Sequence, residues 1–346
     1  MRYILILLLL IAAAAGGIYA AKFEPTASMI DDALEGVIEP ADAPLPVPPL
    51  PDGAASYDAA VLASLDMQTC FDAEAKFSDN SERVWLDRAV RATPEPGTWQ
   101  FPDLANYPGL VKLEQIKSSL GNSREHCGAA RIAENWFMTA SHCVLDYQAL
   151  SAAATDLMLL TPAEDIFSEA VETVPVTGAV CHLDFGMDQW RFSNDIALLY
   201  VEDTSGLVSV PIATLEPEDS DLRRGDIDAF HIAGWGSNGD FRFLQGGVVA
   251  PERVGQSVLV TARIDAKGPD VGDSGSPLYT FIDGEPVVIG VLSNVRRQVP
   301  PELKSAAYVR VKGVRDWLET AMAVCGQDGE FVCGDAGASN GVTAAP

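Results

Sequence analysis

Three short stretches of the 346-residue chain carry residue types that could together activate a hydroxyl as a nucleophile. In chain order they are Phe137-Met-Thr-Ala-Ser-His-Cys143, Asn194-Asp-Ile-Ala-Leu-Leu199 and Gly272-Asp-Ser-Gly-Ser-Pro-Leu278. A serine hydroxyl attacks poorly until a base takes its proton, and an imidazole of near-neutral pKa suits that task. A buried carboxylate can orient the imidazole and stabilise the imidazolium that forms. We therefore predict that Ser274 is the nucleophile, His142 the general base and acid, and Asp195 the orienting carboxylate.

Each of these residues has chemically similar rivals along the chain. Three further histidines lie outside any such motif, and we expect them to be ordinary surface or core residues: His126, His182 and His231. Asp184 and Asp188 lie in polar, loop-like sequence, whereas Asp195 leads directly into an apolar strand. Asp-Ser-Gly alone is a common turn, but Gly-Asp-Ser-Gly-Ser-Pro ahead of a strand is much rarer. The context of each residue therefore favours the catalytic interpretation.

The three stretches, in the order His, Asp, Ser, resemble the active-site motifs of chymotrypsin/trypsin-like serine proteases. Unrelated folds that use the same triad carry it in other orders. Gly234-Trp-Gly236, Ile289-Gly-Val-Leu-Ser293 and Tyr308 also match the family, and the resemblance covers about residues 100–325. It implies a serine endopeptidase with an all-β fold of two six-stranded antiparallel β-barrels and a C-terminal helix. Ser276 departs from the family pattern, since glycine is usual there.

The resemblance also implies how the serine is assisted. Glycines beside it let the backbone turn so that amide hydrogens face the developing oxyanion, and the implied donors are the N–H groups of Gly272 and Ser274. In the family, trimming frees an Ile or Val amine that pairs with the aspartate before the serine, here Asp273. No Arg-Ile-Val-Gly-Gly sequence occurs near residues 92–100, where that terminus is expected. The sequence leaves open how Asp273 is held.

Substrate preference follows from the positions that line the family's specificity pocket. Gly268 occupies the pocket floor, where trypsin-like enzymes place an aspartate, so Lys or Arg specificity is not expected. Ser293 precedes the wall position Val295, and Ala306 is the second wall position. Side chains at these two wall positions narrow the slot, which implies small or medium aliphatic residues before the scissile bond. Asp270 near the mouth could instead favour a basic group.

The six cysteines indicate disulfides if the chain is exported. His126-Cys127 and His142-Cys143 could instead bind zinc, but their spacing fits no familiar ligand pattern. The resemblance implies a Cys127–Cys143 disulfide and no metal. Four further cysteines allow three pairings, and we expect the following two: Cys325 with Cys333, and Cys70 with Cys181.

The remaining segments suggest five regions. Arg2 and the apolar run that follows predict a signal peptide over residues 1–21, or a membrane anchor if it stays uncleaved. Residues 22–56 are acidic and proline-rich, which is typical of a semi-rigid tether. Helix-like periodicity predicts a small helical pro-region over residues 57–99. The protease domain is expected over residues 100–325, with a helix near Val314–Val324, followed by a C-terminal tail over residues 326–346.

The acidic composition of the chain limits the kinds of partner that it can bind. With 23 Lys+Arg against 49 Asp+Glu, the formal net charge is -26, and a phosphate backbone would be repelled. We therefore expect a secreted or periplasmic, monomeric protease that acts on protein or peptide substrates. No nucleic acid, metal or organic cofactor is expected, and membrane contact only if the first segment stays as an anchor.

Three other interpretations compete with an active protease. A catalytically silent homologue used as a binding or scaffold module would normally lack a triad residue, and none is missing here. A quality-control protease would need a peptide-binding domain, and the tail after Cys333 is too short for one. A lipase or esterase would need Gly-x-Ser-x-Gly and the order Ser, Asp, His, which this chain does not have.

Overall fold

Strands dominate the described part of the chain, because its apolar residues come in short runs separated by turn residues. The computed structural model describes residues 57, 59–70, 76–77, 102–117, 123–144, 155–188, 191–227, 229–236, 241–262, 268–296 and 305–333. The α-helices within these ranges are α1 (Ala59–Ala63) and α2 (Val311–Cys325). The strands are β1 (Met67–Thr69), β2 (Lys76–Phe77), β3 (Leu110–Lys117), β4 (Ser123–Arg131), β5 (Trp136–Thr139), β6 (Thr155–Leu160), β7 (Thr173–Pro175), β8 (Gly178–His182), β9 (Gly186–Asp188), β10 (Arg191–Ser193), β11 (Ala197–Tyr200), β12 (Thr214–Leu215), β13 (Phe230–Gly234), β14 (Gln245–Val254), β15 (Val258–Ala262), β16 (Pro277–Ile282), β17 (Glu285–Arg296), β18 (Ser305–Arg310), β19 (Gly326–Gln327) and β20 (Glu330–Phe331).

The N-terminal sheet contains eight antiparallel strands in the order β1-β8-β11-β5-β4-β3-β6-β7. Strands β7 and β8 near its two ends are halves of one bent segment. At the bend, Val176 N–H donates to the Leu157 carbonyl at 2.9 Å, and Thr177 N–H donates to the Tyr200 carbonyl at 2.8 Å. The segment therefore binds β6 with its first half and β11 with its second, and the sheet curves around an apolar core as a half-barrel, which we call the N-terminal barrel.

The C-terminal sheet closes completely. Its order is β12-β17-β16-β13-β14-β15-β18, and β17 also pairs with β18, so that six antiparallel strands form a closed barrel. Register shifts between Leu278 and Tyr279 and between Leu292 and Asn294 occur in the ladders of β17, and such irregularities bend strands where a barrel turns. The nucleophile segment lies directly before β16, at the side of the closed barrel that faces β4 and β5.

Helix α2 follows from apolar residues at helical spacing. Five residues recur at intervals of three and four along it and are all buried: Val314, Trp317, Leu318, Ala321 and Val324. They belong to the same apolar core as the N-terminal sheet. The predicted C-terminal helix and the all-β, chymotrypsin-like fold class are confirmed. Among the described residues, no helix is long and apolar enough to cross a membrane.

The described residues of the N-terminal extension include both helix and strand. Only one helical turn, α1, is described, and Met67 lies in a strand rather than in a helix. The edge of β8 offers backbone donors and acceptors, and β1 pairs with it from Met67↔His182 to Thr69↔Val180. Tertiary pairing thus overrides the local periodicity. Residues 1–56 and 78–100, which include the expected signal, tether and most of the pro-region, lie outside the described residues, as do residues 334–346.

Two disulfides fasten the ends of the described chain. Cys70 is bonded to Cys181 of β8, and Cys325 at the end of α2 is bonded to Cys333. These are the two pairings that the sequence analysis expects. Trp317 of α2 also donates its indole N–H to the Asp66 carbonyl at 3.0 Å. The extension is therefore held by strand pairing, a disulfide and a helix contact together.

Candidate active site

His142 lies in a tight turn at the end of β5. The chain leaves β5 through Ala140 in an extended conformation and forms one turn of 3₁₀ helix over Ser141–Cys143. The Ser141 hydroxyl donates to the Ile196 carbonyl at 2.6 Å, which gives this serine a structural role. Cys143 is bonded to Cys127 of β4. Both links hold the turn on the strands behind it and fix the direction of the imidazole.

Asp195 is fully buried and accepts three hydrogen bonds. Its Oδ1 accepts the backbone N–H of His142 at 2.9 Å, and its Oδ2 lies 2.7 Å from His142 Nδ1. The Ser293 hydroxyl also donates to Oδ2 at 2.7 Å. An ionised carboxylate can only accept, so the proton of the neutral imidazole sits on Nδ1. The arrangement leaves Nε2 as the basic nitrogen.

Ser274 is placed by close contact between the two barrels. The N–H of Gly128 in β4 donates to the Ser274 carbonyl at 2.7 Å. The next residue, Gly275, has a φ of +77°, and a Cβ there would clash with Thr139 Oγ1 and the Gly128 carbonyl oxygen. Only glycine lets the serine segment approach the end of β5 this closely. The approach brings the serine segment to the end of β5, where the turn that carries His142 begins.

The turn before the serine exposes amide hydrogens. Gly272 has a φ of +95°, a conformation that glycine adopts without strain. Gly275 N–H donates to the Leu292 backbone carbonyl at 2.7 Å, and Ser276 N–H donates to the Asp273 backbone carbonyl at 2.9 Å. No described residue accepts a hydrogen bond from the N–H of Gly272 or of Ser274. The two N–H groups that the resemblance implies as oxyanion donors therefore have no acceptor among the described residues.

Asp273 is held by backbone amides within the described residues. Gly236 N–H donates to its Oδ1 at 2.8 Å, and Asp270 N–H donates to its Oδ2 at 3.0 Å. Burial raises the pKa of Asp273 to about 7, an effect that the two N–H donors oppose. Residues 92–100, where the family's activation terminus is expected, lie outside the described residues. The carboxylate fastens the turn over Asp270–Asp273 that presents Gly272.

The chain is similar in sequence to proteins of a known family. The family model described as Trypsin matches residues 111–318. The chain belongs to the trypsin family. Human chymotrypsin-like elastase family member 1 is 29% identical over 238 residues, which is 63% of this chain and 88% of that protein. A collagenase from Hypoderma lineatum is 30% identical over 212 residues, or 57% of this chain and 76% of that protein. Members of this kind are serine-type endopeptidases, and so is this chain.

Two of the predicted specificity positions are paired in the closed barrel of this trypsin-family chain. Gly268 is buried, and Val295 of β17 pairs directly with Ala306 of β18. Ala306 is 3% exposed and Val295 is partly buried. Ser293, by contrast, directs its hydroxyl to Asp195. Its hydroxyl therefore holds the Asp195 carboxylate, a contact between residues 98 positions apart that no local motif indicates.

The disulfide beside His142 bears on the alternative zinc site. Cys127 and Cys143 are bonded to each other, so neither sulfur is available as the thiolate that zinc requires. His126 lies elsewhere, with its Nδ1 3.5 Å from Glu114 Oε1. Of the four residues in the zinc hypothesis, the two cysteines therefore form a disulfide. The two histidines have different carboxylate neighbours, Glu114 for His126 and Asp195 for His142.

The raised pKa of Asp273 predicts a pH-dependent stability. The folded-state pKa of about 7 exceeds the ordinary value of 3.8, so the folded protein holds this proton more tightly. The stabilisation is complete below about pH 4 and is lost as the pH rises through 7. A rise of the pKa from 3.8 to about 7 corresponds to about 4 kcal/mol. We expect the unfolding free energy of the wild type, measured against Asp273→Asn in urea, to fall by about this amount between pH 4 and pH 8.

The Asp273→Asn variant is the reference because the other carboxylates of this acidic chain titrate in both proteins. Asparagine keeps the shape and an oxygen that can accept the Gly236 N–H, but it does not ionise. A difference between the two proteins that stays constant from pH 4 to pH 8 would contradict the prediction.

Proposed function

We propose that the chain is an exported serine endopeptidase that cleaves peptide bonds through an acyl-enzyme formed on Ser274. Membership of the trypsin family supports the reaction class. The 2.7 Å contact between His142 Nδ1 and the buried Asp195 carboxylate carries the residue assignment, because this pair leaves His142 Nε2 as the basic nitrogen. The hydrogen bond from Gly128 N–H to the Ser274 carbonyl, which joins the serine segment to β4, supports a position of Ser274 near this pair.

The proposed reaction has two halves. The Ser274 hydroxyl attacks the carbonyl carbon while His142 Nε2 takes its proton, and the N–H groups of Gly272 and Ser274 donate to the resulting oxyanion. The imidazolium returns the proton to the leaving amine, the peptide bond breaks, and the acyl group stays on the serine oxygen. Water then attacks the ester with the same base, and the acid product leaves with Ser274 regenerated.

Export and the domain organisation belong to the same proposal. Residues 1–21 would direct secretion or periplasmic export, residues 22–56 would tether the enzyme, and residues 57–99 would form a pro-region ahead of the protease domain. The Cys70–Cys181 disulfide supports an oxidising compartment. It would also keep the pro-region attached after any cleavage between residues 71 and 100. N-terminal sequencing of the secreted form, with and without reductant, reports both events.

Labelling with a fluorophosphonate probe tests the proposed activity directly. The probe phosphonylates an activated serine, so the wild type should carry one adduct on the peptide that contains Ser274. The competing interpretation, a silent homologue that binds partners, draws support from the missing Arg-Ile-Val-Gly-Gly sequence. Absence of any Ser274 adduct in the mature secreted protein, together with absence of peptide cleavage, would favour that interpretation and overturn the proposal.

The paired wall residues predict the substrate preference. Val295 and Ala306 face each other across β17 and β18, and side chains at both positions narrow the proposed slot. We expect a peptide library to show cleavage after small or medium aliphatic residues. Val295→Gly should raise the kcat/KM ratio of phenylalanine to alanine substrates by roughly 10- to 100-fold, since a methylene-sized change in such a pocket is worth about 1–3 kcal/mol.

The matched control is Val208→Gly, because Val208 is a valine with 82% exposure. This variant should keep the wild-type cleavage profile. Dominant cleavage after Lys or Arg in the wild type would show that Asp270, rather than the walls, governs the preference.

A further inference from the structure

Phe241 joins the N-terminal barrel to the turn that carries Gly272. Its carbonyl oxygen accepts a hydrogen bond from Lys112 Nζ at 2.7 Å. Its ring stacks on His126 with centroids 4.6 Å apart and 28° between the planes. One edge of the ring covers Gly272, since a Cβ on that glycine would lie 2.5 Å from Phe241 Cε1. One side chain thus contacts both barrels at the proposed oxyanion donor.

The groups behind Phe241 form a buried charged cluster. Lys112 is 0% exposed, which lysines almost never are unless they are paired. Its Nζ lies 3.4 Å from Glu114 Oε1, and the same oxygen lies 3.5 Å from His126 Nδ1. Burying such charges is costly, and two members of this cluster contact Phe241 directly. The Lys112 ammonium donates to the backbone carbonyl of Phe241, and the His126 imidazole stacks on the ring of Phe241.

The backbone of Phe241 is strained and is held on its C-terminal side too. Its φ is +58°, an uncommon conformation for a bulky residue, which persists only where the surroundings enforce it. The Arg242 carbonyl accepts a hydrogen bond from the Ile166 N–H at 3.0 Å, and the Leu244 N–H donates to the Glu164 backbone carbonyl at 2.9 Å. The loop around residues 164–166 of the N-terminal half therefore fixes the chain immediately after the phenylalanine.

We propose that Phe241 is a positioning residue for catalysis, which keeps the Gly272 N–H directed at the oxyanion. The inference rests on the proposed function, because it assigns Gly272 as a donor. With the ring in place, the peptide before Gly272 has no room to rotate toward Phe241. The Lys112–Glu114–His126 cluster sets the ring position, so the N-terminal barrel controls the oxyanion site of the C-terminal barrel.

The test compares Phe241→Ala with the wild-type mature enzyme on a peptide and an ester substrate. Loss of one oxyanion donor costs about 10²- to 10³-fold in kcat, and we expect about a 10²-fold lower kcat with KM changed less than threefold. The Ki of a peptidyl boronic acid, whose tetrahedral adduct occupies the oxyanion site, should rise by the same factor. Phe241→Tyr keeps the ring and should restore at least a third of the wild-type kcat.

Two further variants separate positioning from general damage. Lys112→Met replaces the donor to the Phe241 carbonyl by an apolar side chain of similar length. This variant should lower kcat about tenfold, a smaller loss than that of Phe241→Ala. Phe281→Ala removes an exposed ring that contacts only His231 among the described rings, and should keep the wild-type kcat. Rates are expressed per active site from burst titration, so that partial unfolding does not count as a lower kcat.

The inference fails if Phe241→Ala keeps kcat and the boronate Ki within threefold of the wild type. It also fails if the lost rate is matched by lost active sites alone, because the ring would then support folding only. A wild type that neither cleaves peptides nor takes up the fluorophosphonate probe would instead refute the proposed function, and the two failures are therefore distinguishable.

Discussion

Ser274→Ala is expected to lower kcat by about 10⁵- to 10⁶-fold, the loss seen when a serine protease nucleophile is removed. The variant should fold normally, because the contacts that place this segment are made by its backbone: the Ser274 carbonyl accepts the Gly128 N–H, and Gly275 N–H donates to Leu292. The thermal midpoint and the near-ultraviolet spectrum should match the wild type. The remaining rate reports the contribution of substrate binding and of the oxyanion donors without covalent catalysis.

A neighbouring serine supplies the control. Ser276 is buried, and its hydroxyl has no hydrogen-bond partner among the described residues, so Ser276→Ala removes an oxygen without breaking a described bond. This variant should retain wild-type turnover and fluorophosphonate labelling. Residual labelling or cleavage above about 1% in Ser274→Ala would point to another nucleophile and contradict the assignment.

Asp195→Asn is expected to lower kcat by about 10⁴-fold, the cost of placing the wrong histidine tautomer. The carboxylate accepts the His142 Nδ1 proton and the Ser293 hydroxyl proton on the same oxygen. An amide that turns its nitrogen to that position donates instead, so His142 must accept at Nδ1 and carry its proton on Nε2. A protonated Nε2 has no lone pair for the Ser274 proton. Steady-state kinetics at pH 8 and the rate of fluorophosphonate labelling should fall together.

Asp184→Asn is the matched control for this loss. Asp184 is an exposed aspartate in the same connection, and its backbone N–H donates to His182 Nδ1 at 3.2 Å. The control should keep kcat within twofold of the wild type. If Asp195→Asn retained more than a tenth of the wild-type kcat, the buried carboxylate would not set the tautomer and the triad assignment would be wrong.

The largest expected effects both depend on contacts between the barrels. His142 and Asp195 lie in connections of the N-terminal sheet, whereas Ser274 lies directly before β16 and Ser293 lies in β17 of the closed barrel. The Ser293–Asp195 bond and the Gly128–Ser274 bond cross from one to the other. Shifts of the barrels relative to each other would therefore lower turnover before either core unfolded.

The sequence by itself identified the residues that could do chemistry, because each lies in a short motif of consecutive residues. Gly272-Asp-Ser-Gly-Ser-Pro can be read locally, since its glycines supply the turn that the serine requires. The all-β class and the helix over Val311–Cys325 could likewise be predicted from short-range apolar periodicity, because burial of one face imposes that period. Met67 shows the limit of such periodicity, since the free edge of β8 decided its strand conformation.

Only the tertiary structure decided what surrounds those residues. The Ser293 hydroxyl on Asp195, the amides on Asp273 and the ring of Phe241 over Gly272 join positions that are far apart in the chain or lie in loops of unremarkable composition. A single sequence carries no record of which distant segments meet. Burial then fixes their chemistry, since loss of solvent is the main cause that raises the pKa of Asp273 to about 7, with a smaller contribution from the nearby Asp270 carboxylate.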